Sequence, residues 1–147
     1  MRTDQQWIAL NQGVIEEFRA NGGQCGGAWQ GNPMVLLTTI GAHSDQPRTS
    51  PVTYTNTPTE QGDGWVLIAS KAGASHHPAW YHNLVANPEV TIEVGTERLA
   101  ARARVTEEPE RSRLFDERIS VMARFADYIT LTDRLIPVVV IERIPPA

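Results

Sequence analysis

The sequence predicts a mainly β (α+β) domain, an antiparallel sheet curled into a partly closed barrel with about three helices packed outside. Short apolar runs bounded by turn residues crowd the middle of the chain, at 33–40, 48–54, 65–70, 89–94 and 98–106. They are not separated by the regular crossover helices that a parallel sheet needs. Helical periodicity is confined to 4–20, a short stretch after Pro78 and a third after Thr106.

Taken in order, 4–20 reads as a helix because Trp7, Ile8, Val14, Ile15 and Phe18 fall near helical spacing, with Glu16, Glu17 and Arg19 on the outer side. Gly22-Gly23 stops it, and 22–33 is a glycine-rich loop, with 22–31 a candidate lid. The run 33–40 is a buried strand, 41–47 a turn, and 48–54 a second strand whose Pro51 marks an edge or bulge. A turn at 61–64 leads to a strand over 65–70, and these pieces form a meander of hairpins. A loop at 71–77 precedes a short helix with Pro78 in its first turn, ending near Asn87-Pro88. Strands at 89–94 and 98–106 flank Gly95. Thr106 is expected to cap a helix that begins with Glu107, Glu108 and Glu110 and buries Leu114, Phe115, Ile119 and Met122. The run 136–144 is the last strand.

The 147 residues suit one domain with its own core, and no repeat or linker divides them. With 41% apolar and 20% charged residues, the composition is that of a globular chain. A net charge of -4 argues against generic nucleic-acid binding. No apolar run approaches the roughly 20 residues that span a bilayer, and residues 1–6 lead into no signal core, so a cytoplasmic location is expected. The single cysteine, Cys25, fits a reducing compartment.

Several chemistries lack their signatures: there is no nucleophile elbow, dinucleotide fingerprint or Walker loop. His43, His76, His77 and His82 have no Cys or acidic partner at ligand spacing, so no metal site is expected. A couple between Cys25 and a histidine lacks a visible third member.

What carries chemistry is a set of three short segments: the turn and strand at 41–51, the strand end at 68–73, and the helix start at 78–83. Arg48 offers a planar fork for phosphate oxygens. Lys71, the only lysine among 13 basic residues, adds a point charge, and Ser70 a hydroxyl. Gly73 and Ala74 let backbone N–H groups approach closely, and the helix start near Pro78 adds its dipole. Trp80 and Tyr81 offer flat surfaces. Such a set suits a ligand with a phosphate tail and a planar head. Residue by residue, each also fits a plainer role: Arg48 as a solvated strand arginine, Trp80 and Tyr81 as core.

Together these segments resemble the deazaflavin (F420)-dependent nitroreductase family over about 33–142. The carrying stretches are Leu36-Leu37-Thr38-Thr39-Ile40-Gly41, Gln46-Pro47-Arg48-Thr49-Ser50-Pro51, Ala69-Ser70-Lys71-Ala72-Gly73-Ala74, Pro78-Ala79-Trp80-Tyr81-His82-Asn83-Leu84 and Thr132-Asp133-Arg134-Leu135-Ile136-Pro137. The resemblance implies a split β-barrel of the FMN-binding-like type and an F420H2-dependent reductase. It implies hydride transfer to a small, electron-poor acceptor: a quinone, a nitroaromatic, or an unsaturated lactone or coumarin such as aflatoxin-type compounds. It places Arg48, Lys71 and Ser70 at the coenzyme phosphate, with His43 and Ser44 in the same wall. The backbone of Pro51, Val52 and Thr53 would line the deazaflavin ring together with that of Ile68, Ala69, Ser70 and Lys71, Thr49 and Ser50 would belong to the same coenzyme site, and Ala79, Trp80, Tyr81 and Asn83 would complete the pocket. Tyr128 would stand over the substrate. Ser70 and Tyr128 are the candidate proton donors, with solvent an equal source. Where the family often carries two basic residues and then Ser-Gly after Gly41, this chain has Ala42-His43-Ser44-Asp45, so the grip rests on fewer cations or on a protonated His43.

Two other readings stay open at the level of sequence: an FMN-dependent reductase on the same barrel, and a non-catalytic carrier of F420 or of a flat apolar ligand. The sequence is compatible with a monomer or a homodimer.

Overall fold

The computed structural model describes residues 3–26, 33–71 and 77–144. Its elements are α1 (Asp4–Ala20), β1 (Met34–Ile40), β2 (Pro47–Thr53), β3 (Thr55–Thr59), β4 (Gly62–Ile68), α2 (Ala79–Ala86), β5 (Glu89–Val94), β6 (Glu97–Val105), α3 (Glu110–Val121), α4 (Arg124–Thr130) and β7 (Val138–Arg143). The strands form one seven-stranded sheet in the order β2-β1-β5-β6-β7-β4-β3, with every neighbouring pair antiparallel.

Connectivity forces that sheet to close. β2 and β3 stand at opposite margins of the strand order, yet only Tyr54 separates them in sequence. Consecutive Cα atoms lie about 3.8 Å apart, so Thr53 and Thr55 cannot be farther apart than about 7.6 Å. The sheet therefore curls until its margins meet. In effect 47–59 is one extended stretch that pairs with β1 as far as Thr53 and with β4 from Thr55 onward.

Alternation along the strands sorts the core into an inside and an outside. Val35 and Leu37 of β1, Val52 of β2, Trp65 and Leu67 of β4, Ile92 of β5 and Val139 and Ile141 of β7 fill the barrel, joined by Trp80 and Leu84 of α2. Their odd-and-even neighbours face outward. Val66, Ile68, Val138 and Val140 pack under Leu114 and Phe115 of α3 and Phe125 of α4. Met34 and Leu36 pack under Val14, Ile15 and Phe18 of α1.

Helix α1 begins with a capping box: Thr3 Oγ1 accepts from Gln6 N, and Thr3 N donates to Gln6 Oε1. The helix ends at the expected glycines, with Gly23 N bonded to Phe18 O at 2.8 Å. Gly23 has φ +94°, and a Cβ there would stand 2.8 Å from Gly95 Cα, so the loop and the β5–β6 turn meet at a distance only glycine allows. Residues 27–31 of the candidate lid, like Gly73, Ala74 and His76, lie outside the described residues. The side chain of Trp7 does too.

Four expectations need correction. Ile8 points to solvent, because only the later turns of α1 dock on β1. β3 was not expected; its Thr-Asn-Thr-Pro-Thr carries no apolar pattern, and pairing with β4 alone makes it a strand. The third helix is two, α3 and α4, broken at Met122-Ala123. Thr106 caps neither: its hydroxyl donates to Val138 O at 2.8 Å, tying the end of β6 to β7. Glu108 accepts from the N and Oγ of Ser112 at the start of α3 instead. Pro51 does lie on a marginal strand, where its missing N–H breaks no inner ladder.

Candidate active site

β1 and β4 run in the same direction through the sheet, and β2 runs opposite to β1. The end of β1, the turn at 41–46, the start of β2 and the end of β4 therefore share one rim of the barrel. Helix α2 lies across that rim with Trp80 and Leu84 in the barrel core. All three segments singled out from sequence converge there.

The turn is tightly braced. Gly41 N donates to Gln46 O at 2.8 Å, Asp45 N to Gly41 O at 3.0 Å, and Gln46 N to Ser44 Oγ at 3.2 Å. A Cβ on Gly41 would collide with Ser44 Oγ, so the hydroxyl closes against the bare Cα. Asn83 then locks the turn to α2: its Oδ1 accepts from Ala42 N at 3.0 Å and its Nδ2 donates to Thr39 Oγ1 at 3.1 Å. Both partners and Asn83 itself are largely withdrawn from water, so the amide is fully committed to structure.

The mouth is cationic. Arg48 is exposed as the second residue of β2, and its Nη1 makes a long bond to Pro47 O at 3.4 Å. Lys71 is half-buried just past β4 with φ +46°, a left-handed backbone unusual for lysine. His43 and Ser44 are exposed in the turn, Thr49 shares a 2.8 Å hydroxyl bond with Thr38, and Ser50 and Pro51 are half-buried.

Between the end of β4 and the body of β2 there is no ladder. β4 pairs with β3 only up to Val66, and no described strand pairs with the other edge of β2. This is a split in the barrel wall between two lips, 47–53 on one and 67–71 on the other. Val52 and Ala69 turn inward to the core, while Ile68 and Thr53 face the outer layer. Ser70 is 5% exposed.

Two arginines bond to groups around the split, and sequence reasoning gave neither a role. Arg134, beyond α4, donates through Nη2 to Ala69 O at 3.1 Å and Ser70 O at 2.8 Å, and its Nη1 lies 2.9 Å from His77 Nδ1. It thereby ties the strand end before Lys71 to the segment that enters α2. Partial burial pulls its guanidinium below the ordinary range. Arg118 of α3 is fully buried. Its Nη1 donates to Thr53 Oγ1 at 3.3 Å, its Nη2 donates to Val66 O, and its Cζ lies 5.0 Å from the centroid of the Phe125 ring. Burial, then the nearby Arg124, push it down to about 10. The helix pattern could have exposed Arg118, since it falls four residues after Leu114 and three after Phe115, on the buried stripe.

Among the other predicted site residues, Trp80 departs from its expected role. Trp80 is 8% exposed and belongs to the barrel core, so it offers no open face. Tyr81 is half-buried and stacks with His77, ring centroids 4.7 Å apart, and Ala79 is exposed on the first turn of α2. Tyr128 packs on the outer layer with its ring edge-on to Phe125 at 5.0 Å. Among the described residues no cluster of His, Cys, Asp or Glu could hold a metal ion. None of the described helices is long and apolar enough to cross a membrane.

A closed barrel opened by one unpaired seam, with Arg48 and Lys71 at its mouth, defines a class of barrel oxidoreductase that seats a flat, anionic coenzyme. The donor set fits a deazaflavin: two cations and several hydroxyls for the anionic tail, and a seam between two unladdered strands for a ring. Residues 11–143 match the family described as F420H(2)-dependent quinone reductase, and the chain belongs to that family. It is an oxidoreductase that uses coenzyme F420. An F420H(2)-dependent quinone reductase of Mycobacterium tuberculosis is 39% identical over 130 residues, covering 86% of this chain and 85% of that protein. The solved structure of an F420-H2 dependent reductase is 39% identical with a TM-score of 0.64, over 75% of this chain and 94% of that one. A structure described as a domain-swapped dimer is 33% identical with a TM-score of 0.66, over 95% of this chain and all 100% of the other.

Proposed function

We propose that this reductase passes hydride from F420H2 to a quinone, with the coenzyme ring lodged in the β2–β4 split. The observation that carries the reading is the seam itself: two facing strand edges with no ladder, opening under Arg48 and Lys71. Arg48, Lys71 and Ser44, with His43 beside them, hold the anionic tail. Thr49 to Thr53 and Ile68 to Lys71 frame the ring, and Ala79 and Tyr81 border it. Trp80 and Asn83 act behind this wall, by fixing α2 and the turn. When bound, reduced F420 supplies the hydride, so the chain contributes position, charge and exclusion of water. Ser70, nearly buried at the lip, orients the acceptor oxygen or relays its proton, and Tyr128 borders the acceptor from the outer layer.

The test is oxidation of F420H2 under anaerobic conditions, followed by deazaflavin absorbance. Acceptors are offered singly: a benzoquinone or naphthoquinone, a nitroaromatic and a coumarin. Turnover fastest with the quinone is expected. Binding without turnover of any acceptor would make the protein a coenzyme carrier, and preferential turnover of the nitroaromatic or coumarin would reassign the substrate class.

A further inference from the structure

Arg118 heads the fully buried side chains by volume, and it is a charged one. Its surroundings are neutral or like-charged: a threonine hydroxyl, a backbone carbonyl, the Phe125 ring, and Arg124 near enough to disfavour its charge. Its Nε has no partner. No carboxylate forms an ion pair with it among the described residues. A guanidinium buried this way is costly, and an unbranched apolar residue could fill the same volume between Leu114, Phe115 and Phe125 without that cost. Packing alone does not explain it.

What an arginine adds here is a planar fork that reaches two groups at once. The two groups lie on different strands, β2 and β4, which share no ladder. Thr53 is the last residue of β2, and Val66 is the last residue of β4 that pairs with β3. The fork therefore sits at the root of the split, with the lips that lead to Arg48 and Lys71 diverging from it.

We propose that Arg118 is a positioning residue that sets the width of the β2–β4 split, and through it the spacing of the two backbone edges that receive the coenzyme ring. This rests on the ring placement given under Proposed function. Strands transmit a small displacement at their root to their free ends, so one pair of hydrogen bonds governs the whole lip.

The experiment uses the full chain and the variants Arg118→Met, Arg118→Lys and Thr53→Val. Two readouts are taken: amide hydrogen exchange of 48–53 and 67–70 without coenzyme, and KM and kcat with F420H2. In Arg118→Met, exchange on both lips should accelerate by about tenfold or more, as expected when charge-assisted bonds are lost, while β5 and β6 keep the parent rate. KM for F420H2 should rise about tenfold, with kcat changed less. Arg118→Lys should recover part of each effect, and Thr53→Val should show a weaker version of both. Parental exchange and KM in Arg118→Met would overturn the proposal. If that variant fails to fold, Thr53→Val decides by the same readouts. If the parent itself does not bind F420H2, the ring placement fails, and the exchange data still judge whether Arg118 holds the lips.

Discussion

At the scale of single residues, the mouth of the split depends on charges that the fold leaves at its edge. Arg48 is exposed, and Lys71 stands half-buried on a left-handed backbone just beyond β4. Replacing either by alanine removes a charge-assisted contact, so coenzyme binding should weaken by about 1.5–3 kcal/mol, a factor of about ten to a hundred and fifty, in isothermal calorimetry. Asp45 carries the opposite consequence. It holds φ +56° in the turn and brings a negative charge beside the proposed tail site. Asn tolerates the same backbone, so Asp45→Asn should leave the melting temperature unchanged and tighten F420H2 binding by about 0.5 kcal/mol or more, by removal of an exposed repulsion. Unchanged affinity would place the tail away from this turn. That Arg48, Ser70 and Lys71 stand at strand ends was legible from sequence, because polar residues there stand out against their neighbours. That Trp80 enters the core and Asn83 braces the turn was not. Which side of an eight-residue helix faces the core depends on how that helix crosses the barrel, and no local pattern records it.

At the scale of elements, each helix is fastened to the barrel in its own way. α1 relies on three buried apolar residues and the Arg19–Glu93 ion pair to β5, α2 on Trp80, Leu84 and the Asn83 bonds, and α3 on buried contacts plus the Arg104–Glu110 ion pair to β6. Arg104 of β6 bonds Glu110 at 2.7 Å and Glu142 of β7 at 3.1 Å. The Arg104 hydrogen bond holds the Glu110 carboxyl below the usual carboxylate range, and the Ser112 hydroxyl does the same for Glu108. Carboxyls depressed in the folded state bind fewer protons there than in the unfolded chain. The stability they add is complete above the unfolded value of about 4.3 and is lost as pH falls through their folded values. Hydrogen exchange should therefore show the first turns of α3 loosening below about pH 4 while β5 and β6 stay protected. Simultaneous loss of both would show that these carboxylates do not anchor the helix. β3 marks where sequence reading of elements ends: with Thr57 its only buried residue, the segment becomes a strand through its partner. The break between α3 and α4 was equally silent, since Phe115, Ile119, Met122 and Phe125 continue a helical spacing straight through it.

At the scale of the whole molecule, the antiparallel barrel was readable because turn residues punctuate the apolar runs from 33 to 106 at short intervals. Partial closure was expected too, but the strand that brings the two margins together, β3, was not. Spacing puts Arg118 on the buried stripe of its helix, but what it reaches was not legible: only the meeting of three distant segments at the root of the split gives a cation a place there. Sequence thus reported the walls and the charged mouth of the site, and the assembled barrel alone reports how far apart the walls stand.

The stretch 47–59 belongs to both margins of the sheet and changes allegiance at a single residue, Tyr54. Neither margin can slide past the other, since a shift in one register drags the other with it. Tyr54 is thus the hinge common to both margins, and the Arg118 fork, which bonds Thr53 on one side of it and Val66 opposite Thr55 on the other, clasps the barrel beside that hinge.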